Sequence, residues 1–94
     1  MRVKVIYLGV VRHKAGLNEE EFNLPEGSTV KDLITRVADS HRALRDLIGG
    51  IGESPTDPTL IATLNGSAIN LSSSGRVTLK DGDVLALMTV IGGG

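Results

Sequence analysis

Leu24-Pro25-Glu26-Gly27-Ser28-Thr29-Val30-Lys31-Asp32-Leu33 is the stretch that decides the fold. Pro25 has no amide proton for a sheet ladder and Gly27 favours a turn, so any strand before them stops here. Thr29 is placed to cap a helix. Asp32, three residues on, imitates a capping box with Asp in place of the usual Glu. Val30, Leu33, Ile34, Val37 and Ala38 then recur at helical spacing and predict one buried stripe. His41, Leu44 and Leu47 continue that spacing, which predicts a helix ending before Gly49-Gly50.

Strand signals lie on both sides of this helix. Val3 to Val11 is apolar and rich in β-branched residues, and reads as a first strand. Arg12 to Asn18 carries turn signals, and Glu20 to Leu24 alternates with Phe22 and Leu24 on one face, so the two runs predict a hairpin. After the helix, Ile51 to Pro58 reads as a surface loop. Thr59 to Leu64 reads as a strand, Asn65-Gly66 as a tight hairpin turn, and Ser67 to Leu71 as a short partner strand. Ser72-Ser73-Ser74-Gly75 is a loop, Leu79 to Asp83 a turn, and Val84 to Ile91 the final strand. The order is β-β-α-β-β-β, an α+β arrangement with one helix packed across one mixed sheet. Residues 1–91 are expected to form this domain and residues 92–94 a flexible tail.

Bulk properties narrow the function classes. The 94 residues fit one domain, and a net charge of −1 lacks the basic footprint of a nucleic-acid binder. No apolar run approaches the ~20 residues of a membrane span. Met1-Arg2-Val3-Lys4 leads into an alternating segment and not into a signal peptide. The absence of cysteine excludes disulfides, thiolate metal sites and cysteine nucleophiles, and a cytoplasmic location follows by default. His13 and His41 lack ligand-spaced companions and read as surface residues. Glu19-Glu20-Glu21 reads as a solvated edge, and Asp81 and Asp83 as turn formers around Gly82.

The chemical candidate is the end of the chain. Gly92-Gly93-Gly94 follows a strong strand directly, and glycine there adds nothing to packing. A frayed terminus is the plain alternative. A tail without β-carbons, however, can thread a narrow channel in a partner enzyme. Its carboxylate, ionised above a reference pKa of roughly 3.3–3.7, can attack the α-phosphate of ATP. The ATP site belongs to the partner, because no Gly-rich phosphate loop with Lys and Ser/Thr occurs here.

Leu24 to Leu33 resembles the segment opening the helix in molybdopterin-synthase small subunits. Thr63-Leu64-Asn65-Gly66 resembles their central hairpin, and Leu79 to Leu87 the run into their last strand. The diglycine end falls the expected distance downstream. The ordered set, spanning nearly the whole chain, resembles the MoaD/ThiS family of ubiquitin-like β-grasp sulfur carriers. The resemblance implies a β-grasp fold with no bound cofactor. It implies an adenylating enzyme of the ubiquitin-activating type that uses ATP and Mg, a sulfur donor protein, and conversion of the Gly94 carboxylate to a thiocarboxylate. It also implies the large subunit of molybdopterin synthase as a partner, the chain then being the sulfur-donating subunit and not a complete enzyme alone. Some archaeal and eukaryotic relatives are joined to lysines of target proteins. The ending Thr89-Val90-Ile91-Gly92-Gly93-Gly94 is similar to thiamine-branch carriers, so cofactor biosynthesis, tRNA thiolation and protein modification all stay open. A non-covalent binding module is the remaining alternative.

Alternation assigns a partner face. Leu85 and Leu87 fall on one side of the last strand, and Ala86, Met88 and Val90 on the other. In the first strand Val3, Val5 and Tyr7 are expected to face the helix, with Lys4, Ile6 and Leu8 outward. Ile6, Leu8, Ala86 and Met88 are therefore a candidate contact patch. Family members dock partners through this face, and by matching position Leu8, Arg12 and Met88 are its main candidates.

Overall fold

The computed structural model describes residues 1–48 and 59–89. The Thr29 expectation holds in atomic detail. The Thr29 hydroxyl accepts from the Asp32 amide at 3.3 Å, and the Asp32 carboxylate accepts from the Thr29 amide at 2.8 Å. This reciprocal cap starts a helix at Val30, where orphan amides would otherwise face water alone. The helix runs Val30–Ser40 and buries Val30, Leu33, Val37 and Ala38, with Ile34 packed at the margin of the core.

The complete order of elements is β1 (Arg2–Tyr7), α1 (Gly9–Ala15), β2 (Glu19–Asn23), α2 (Val30–Ser40), a 3₁₀ turn (Arg42–Leu44), α3 (Arg45–Ile48), β3 (Leu60–Leu64), β4 (Ser67–Ile69), a second 3₁₀ turn (Leu71–Arg76) and β5 (Val84–Thr89). The strands form one mixed sheet in the order β2-β1-β5-β3-β4. β1 and β5 are parallel, and the other neighbours are antiparallel. A parallel pair needs a long crossover connection, and α2 lies within it. Val3, Val5 and Tyr7 join Leu85, Leu87, Ala62 and the α2 stripe in one buried cluster.

Three expectations are corrected. The first strand does not continue to Val11; it ends at Tyr7, and α1 follows. Gly9 takes a φ of 57°, which no strand accommodates, and α1 then buries Val11 and closes on Gly16 at φ 81°. The β-branched run Val10-Val11 masked this turn. The long helix does not continue through Leu47. His41 leaves helical geometry at φ −130°, ψ 92°, yet Leu44, Leu47 and Ile48 still reach the core through the 3₁₀ turn and α3. The strand begun at Ser67 stops at Ile69, because Asn70 caps a 3₁₀ turn by accepting from the Ser72 amide at 3.0 Å. The serine run expected as a loop belongs to that turn.

The turns behave as their residues predict. Asn65 and Gly66 adopt φ of 52° and 86°, the left-handed pair a tight hairpin needs. The Asn65 side chain then accepts from the Val84 amide at 3.0 Å and donates to Asp83 at 3.0 Å, tying the hairpin to the start of β5. Asp83 also accepts from the Lys80 amide, and Asp81 from the Arg2 amide, both at 2.8 Å. Both aspartates are turn fasteners. The expected loop over 51–58, Gly49-Gly50, Val90, Ile91 and the tail Gly92-Gly93-Gly94 lie outside the described residues.

Two substitutions grade these contributions. Leu33, fully buried, should cost about 2–5 kcal/mol when changed to alanine. Thr29→Ala should cost about 1 kcal/mol through the lost cap. Urea unfolding of both variants measures the order; a cap loss equal to the core loss contradicts this account.

Candidate functional site

The candidate site is built on the sheet face that α2 leaves uncovered. β5 is a central strand, flanked by β1 and β3. Its register sets Ala86 beside Ile6 of β1 and Thr63 of β3, and Met88 beside Ile61 of β3. Alternation turns all of these away from the core, and each is half-buried. Ile6, Ala86 and Met88 are therefore brought together as expected. Ile61 and Thr63 complete the strip; sequence reading passed over them, although alternation with buried Leu60 and Ala62 carried the signal.

Leu8 and Arg12 reach the same end of the sheet by another route. Leu8 is not a strand residue. It is the extended cap of α1, its amide donating to the Leu87 carbonyl at 3.0 Å. Its side chain is 38% exposed, the exposed large hydrophobic among the described residues. Arg12 follows one helical turn later, its amide donating to the Leu8 carbonyl at 3.4 Å. Arg12 is exposed. The β2 margin of the face is charged, with Lys4 and Glu19 at 3.7 Å and Glu21 exposed beside them. The strip thus has the makeup of a docking surface, apolar in the middle and polar at the rim. The three glycines assigned to chemistry lie beyond β5, outside the described residues.

A second polar group was missed. Glu20 is not a solvated edge residue and His41 is not a surface one. Glu20 lies on the core side of β2, where the Tyr7 hydroxyl donates to its carboxylate at 2.5 Å and His41 Nε2 meets the same oxygen. The Tyr7 and His41 rings meet edge to face at 5.6 Å. Alternation from Phe22 placed Glu20 inward, and its neighbours Glu19 and Glu21 hid that signal. Burial, then the hydrogen bond to Glu20 and its negative charge, push the Tyr7 phenol well above its usual range. His13 is exposed on α1. Among the described residues there is no group of three or more metal-ligating side chains, and no helix is long and apolar enough to cross a membrane.

A five-stranded mixed sheet with parallel central strands and one long helix across it defines a ubiquitin-like β-grasp protein. Residues 5–94 match the ThiS family, and the chain belongs to that family. It is a ubiquitin-like sulfur carrier of the MoaD/ThiS type. It is 30% identical, over all 94 residues and the full length of the relative, to a molybdopterin synthase sulfur carrier subunit from Chlamydomonas reinhardtii. Its fold is similar to that of SAMP1 from Haloferax volcanii, with a TM-score of 0.83 and 22% identity over the whole of both chains. It is also similar to a Pyrococcus furiosus chain assigned as subunit 1 of a molybdopterin converting factor. That pair shares 32% identity and a TM-score of 0.76, over 95% of this chain and 97% of the other.

The raised Tyr7 pKa has a stability consequence of definite sign. An unfolded tyrosine ionises near a pKa of about 10, whereas the folded one resists, so stability is fully present below that pH and is lost above it. Tyr7 is the single tyrosine, which makes its ultraviolet titration unambiguous. Tyrosinate absorbance should rise only together with loss of the folded circular-dichroism signal. A normal titration within the intact fold contradicts the assignment.

Proposed function

We propose that the chain carries sulfur on its C-terminal glycine, as the small subunit of a molybdopterin-synthase-type pair. The single observation that supports this most is the position of β5. A central strand, held on both sides, runs beside an uncovered apolar strip as far as Thr89, and Gly92-Gly93-Gly94 follow it closely in sequence. A partner that seats on Ile6, Leu8, Ala86 and Met88 can thereby receive the tail in its own active site.

The chemistry then runs in two displacements. A Gly94 carboxylate oxygen attacks the α-phosphorus of ATP in the activating enzyme. Pyrophosphate leaves, and an acyl-adenylate forms, with Mg held by that enzyme. Hydrosulfide released by a donor protein then attacks the glycyl carbonyl carbon, AMP leaves with the former carboxylate oxygen, and loss of the sulfur's proton leaves a thiocarboxylate. The thiocarboxylate sulfur displaces a leaving group at a carbon of an acceptor bound by the larger subunit, and water then cleaves the glycyl–sulfur bond and restores the Gly94 carboxylate. The carrier's own contribution is positional. Its sheet fixes the strand up to Thr89, and the glycines that follow in sequence let donors approach the carbonyl from either side. The apolar strip fixes the partner, and Arg12 at its end offers a charge for orientation.

Intact mass is the direct test. With the cognate activating enzyme, ATP and a sulfur donor, the chain should gain the difference between sulfur and oxygen, and deletion of Gly94 should abolish the gain. An unchanged mass rejects the reading, and adducts of protein size on target lysines favour a modifier instead. Met88→Glu should weaken binding to the activating enzyme about tenfold or more, by burying a carboxylate in an apolar contact. Titration calorimetry reads this directly; unchanged affinity removes Met88 from the interface.

A further inference from the structure

The outer side of β2 is a second place where this fold offers unused binding capacity. β2 is an edge strand. The Leu24 amide donates to the Met1 carbonyl at 2.9 Å, and the Tyr7 amide to the Asn18 carbonyl at 2.8 Å. In an antiparallel ladder these two bonds fix the alternation between them. Phe22 and Glu20 face their main-chain groups toward β1, so Glu19, Glu21 and Asn23 turn theirs outward. The Asn23 carbonyl shows this directly, because it accepts from Arg36 Nη1 of α2 at 3.4 Å.

Beside this edge lies an open groove of about 470 Å³ between the end of β2 and the outer face of α2. Leu24, Pro25, Thr35 and Arg36 line it, with Lys31 farther along. Its charge balance is uneven. The Asp32 carboxylate is occupied by the Thr29 amide and hydroxyl. Neither Lys31 nor Arg36 has a carboxylate partner among the described residues, and Arg36 lies over the Phe22 ring at 5.7 Å. The groove is thus apolar at its floor and cationic at its rim. The opposite side of the same edge carries the Glu19 and Glu21 carboxylates.

We propose that the β2 edge takes an extended segment of a partner protein as an added strand. Strand addition uses the free main-chain groups for affinity and alternate side chains for selection. Residues facing the groove are apolar or acidic, meeting Leu24, Lys31 and Arg36. Residues facing the other way are basic, meeting Glu19 and Glu21. A second copy of this chain does not fit this pattern, since pairing β2 with β2 sets Glu19 and Glu21 against like charges. β1 stands between this edge and β5, so the added strand leaves the strip around Met88 uncovered. The carrier can then be held at one edge while its tail is in use at another surface.

The probe is an acetylated, amidated peptide, Lys-Val-Lys-Val-Lys-Asp-Lys-Glu, titrated into the ¹⁵N-labelled chain. Hydrogen exchange of the Glu19, Glu21 and Asn23 amides should slow on binding, while Ile61 and Met88 resonances stay in place. Arg36→Glu should weaken binding about fivefold or more, and Arg36→Gln by less, as expected for one charge-assisted contact. Replacing Asp and Glu in the peptide by Asn and Gln should produce a similar loss. If Arg36→Glu unfolds, the glutamine variant and the neutral peptide decide alone. Unchanged exchange at millimolar peptide, shifts confined to Ile61 and Met88, or equal affinity for the charged and neutral peptides overturns the proposal. Protection of the same three amides in concentrated chain without peptide also overturns it, in favour of self-association.

Discussion

The parallel pairing of β1 with β5 is the constraint on which the rest depends. Two parallel neighbours cannot be joined by a short turn, so the chain must leave the sheet and cross back. The crossover carries α2, and α2 has one apolar stripe, so it covers one side of the sheet only. The same geometry therefore makes both a core and an open face. It also places the last strand in the middle of the sheet, supported on either side, and not at a pliable edge. The course of β5 as far as Thr89 is set by two ladders and by a hairpin anchored through Asn65.

Polar residues separate into three jobs. Asp32, Asp81 and Asp83 spend their carboxylates on amides of the same fold, closing a helix start and a turn. Glu20 collects Tyr7 and His41 into a half-buried knot where the sheet meets the break after α2. Glu19, Glu21, Lys31, Arg12 and Arg36 remain at the surface, distributed around the apolar strip and the β2 groove. Such a distribution contributes little to stability, since exposed charges are screened. Its effect is on which surfaces can approach and in what orientation.

Much of this was legible in the residues, for identifiable reasons. Thr29 and Asp32, Asn65-Gly66 and Lys80-Asp81-Gly82-Asp83 are local signals whose geometry is set within four residues, and each formed as expected. Alternation in β1 and β5 correctly separated Val3, Val5, Leu85 and Leu87 from Ile6, Ala86 and Met88. What failed was tertiary in origin. Gly9 broke a β-branched run whose periodicity alone favours a strand. His41 left a helix whose apolar spacing continued beyond it, because Leu44 and Leu47 are buried by other means. Glu20 was concealed by two identical neighbours, although alternation from Phe22 sets the middle glutamate apart from the outer ones. Alternation with Leu60 and Ala62 set Ile61 on the open face, but its register beside Met88 is specified by no single-strand pattern.

The sequence separation of β1 and β5 also governs when this protein can exist. Residues 2–7 wait for partners at 84–89, so the centre of the sheet closes by a contact spanning most of the chain. Such long-range closure is slow and comes late. During synthesis the emerging polypeptide has a hairpin and helices but no middle, and its apolar face stays open to chaperones and to misassembly. The centre of the sheet therefore forms only after residues 84–89 have been made.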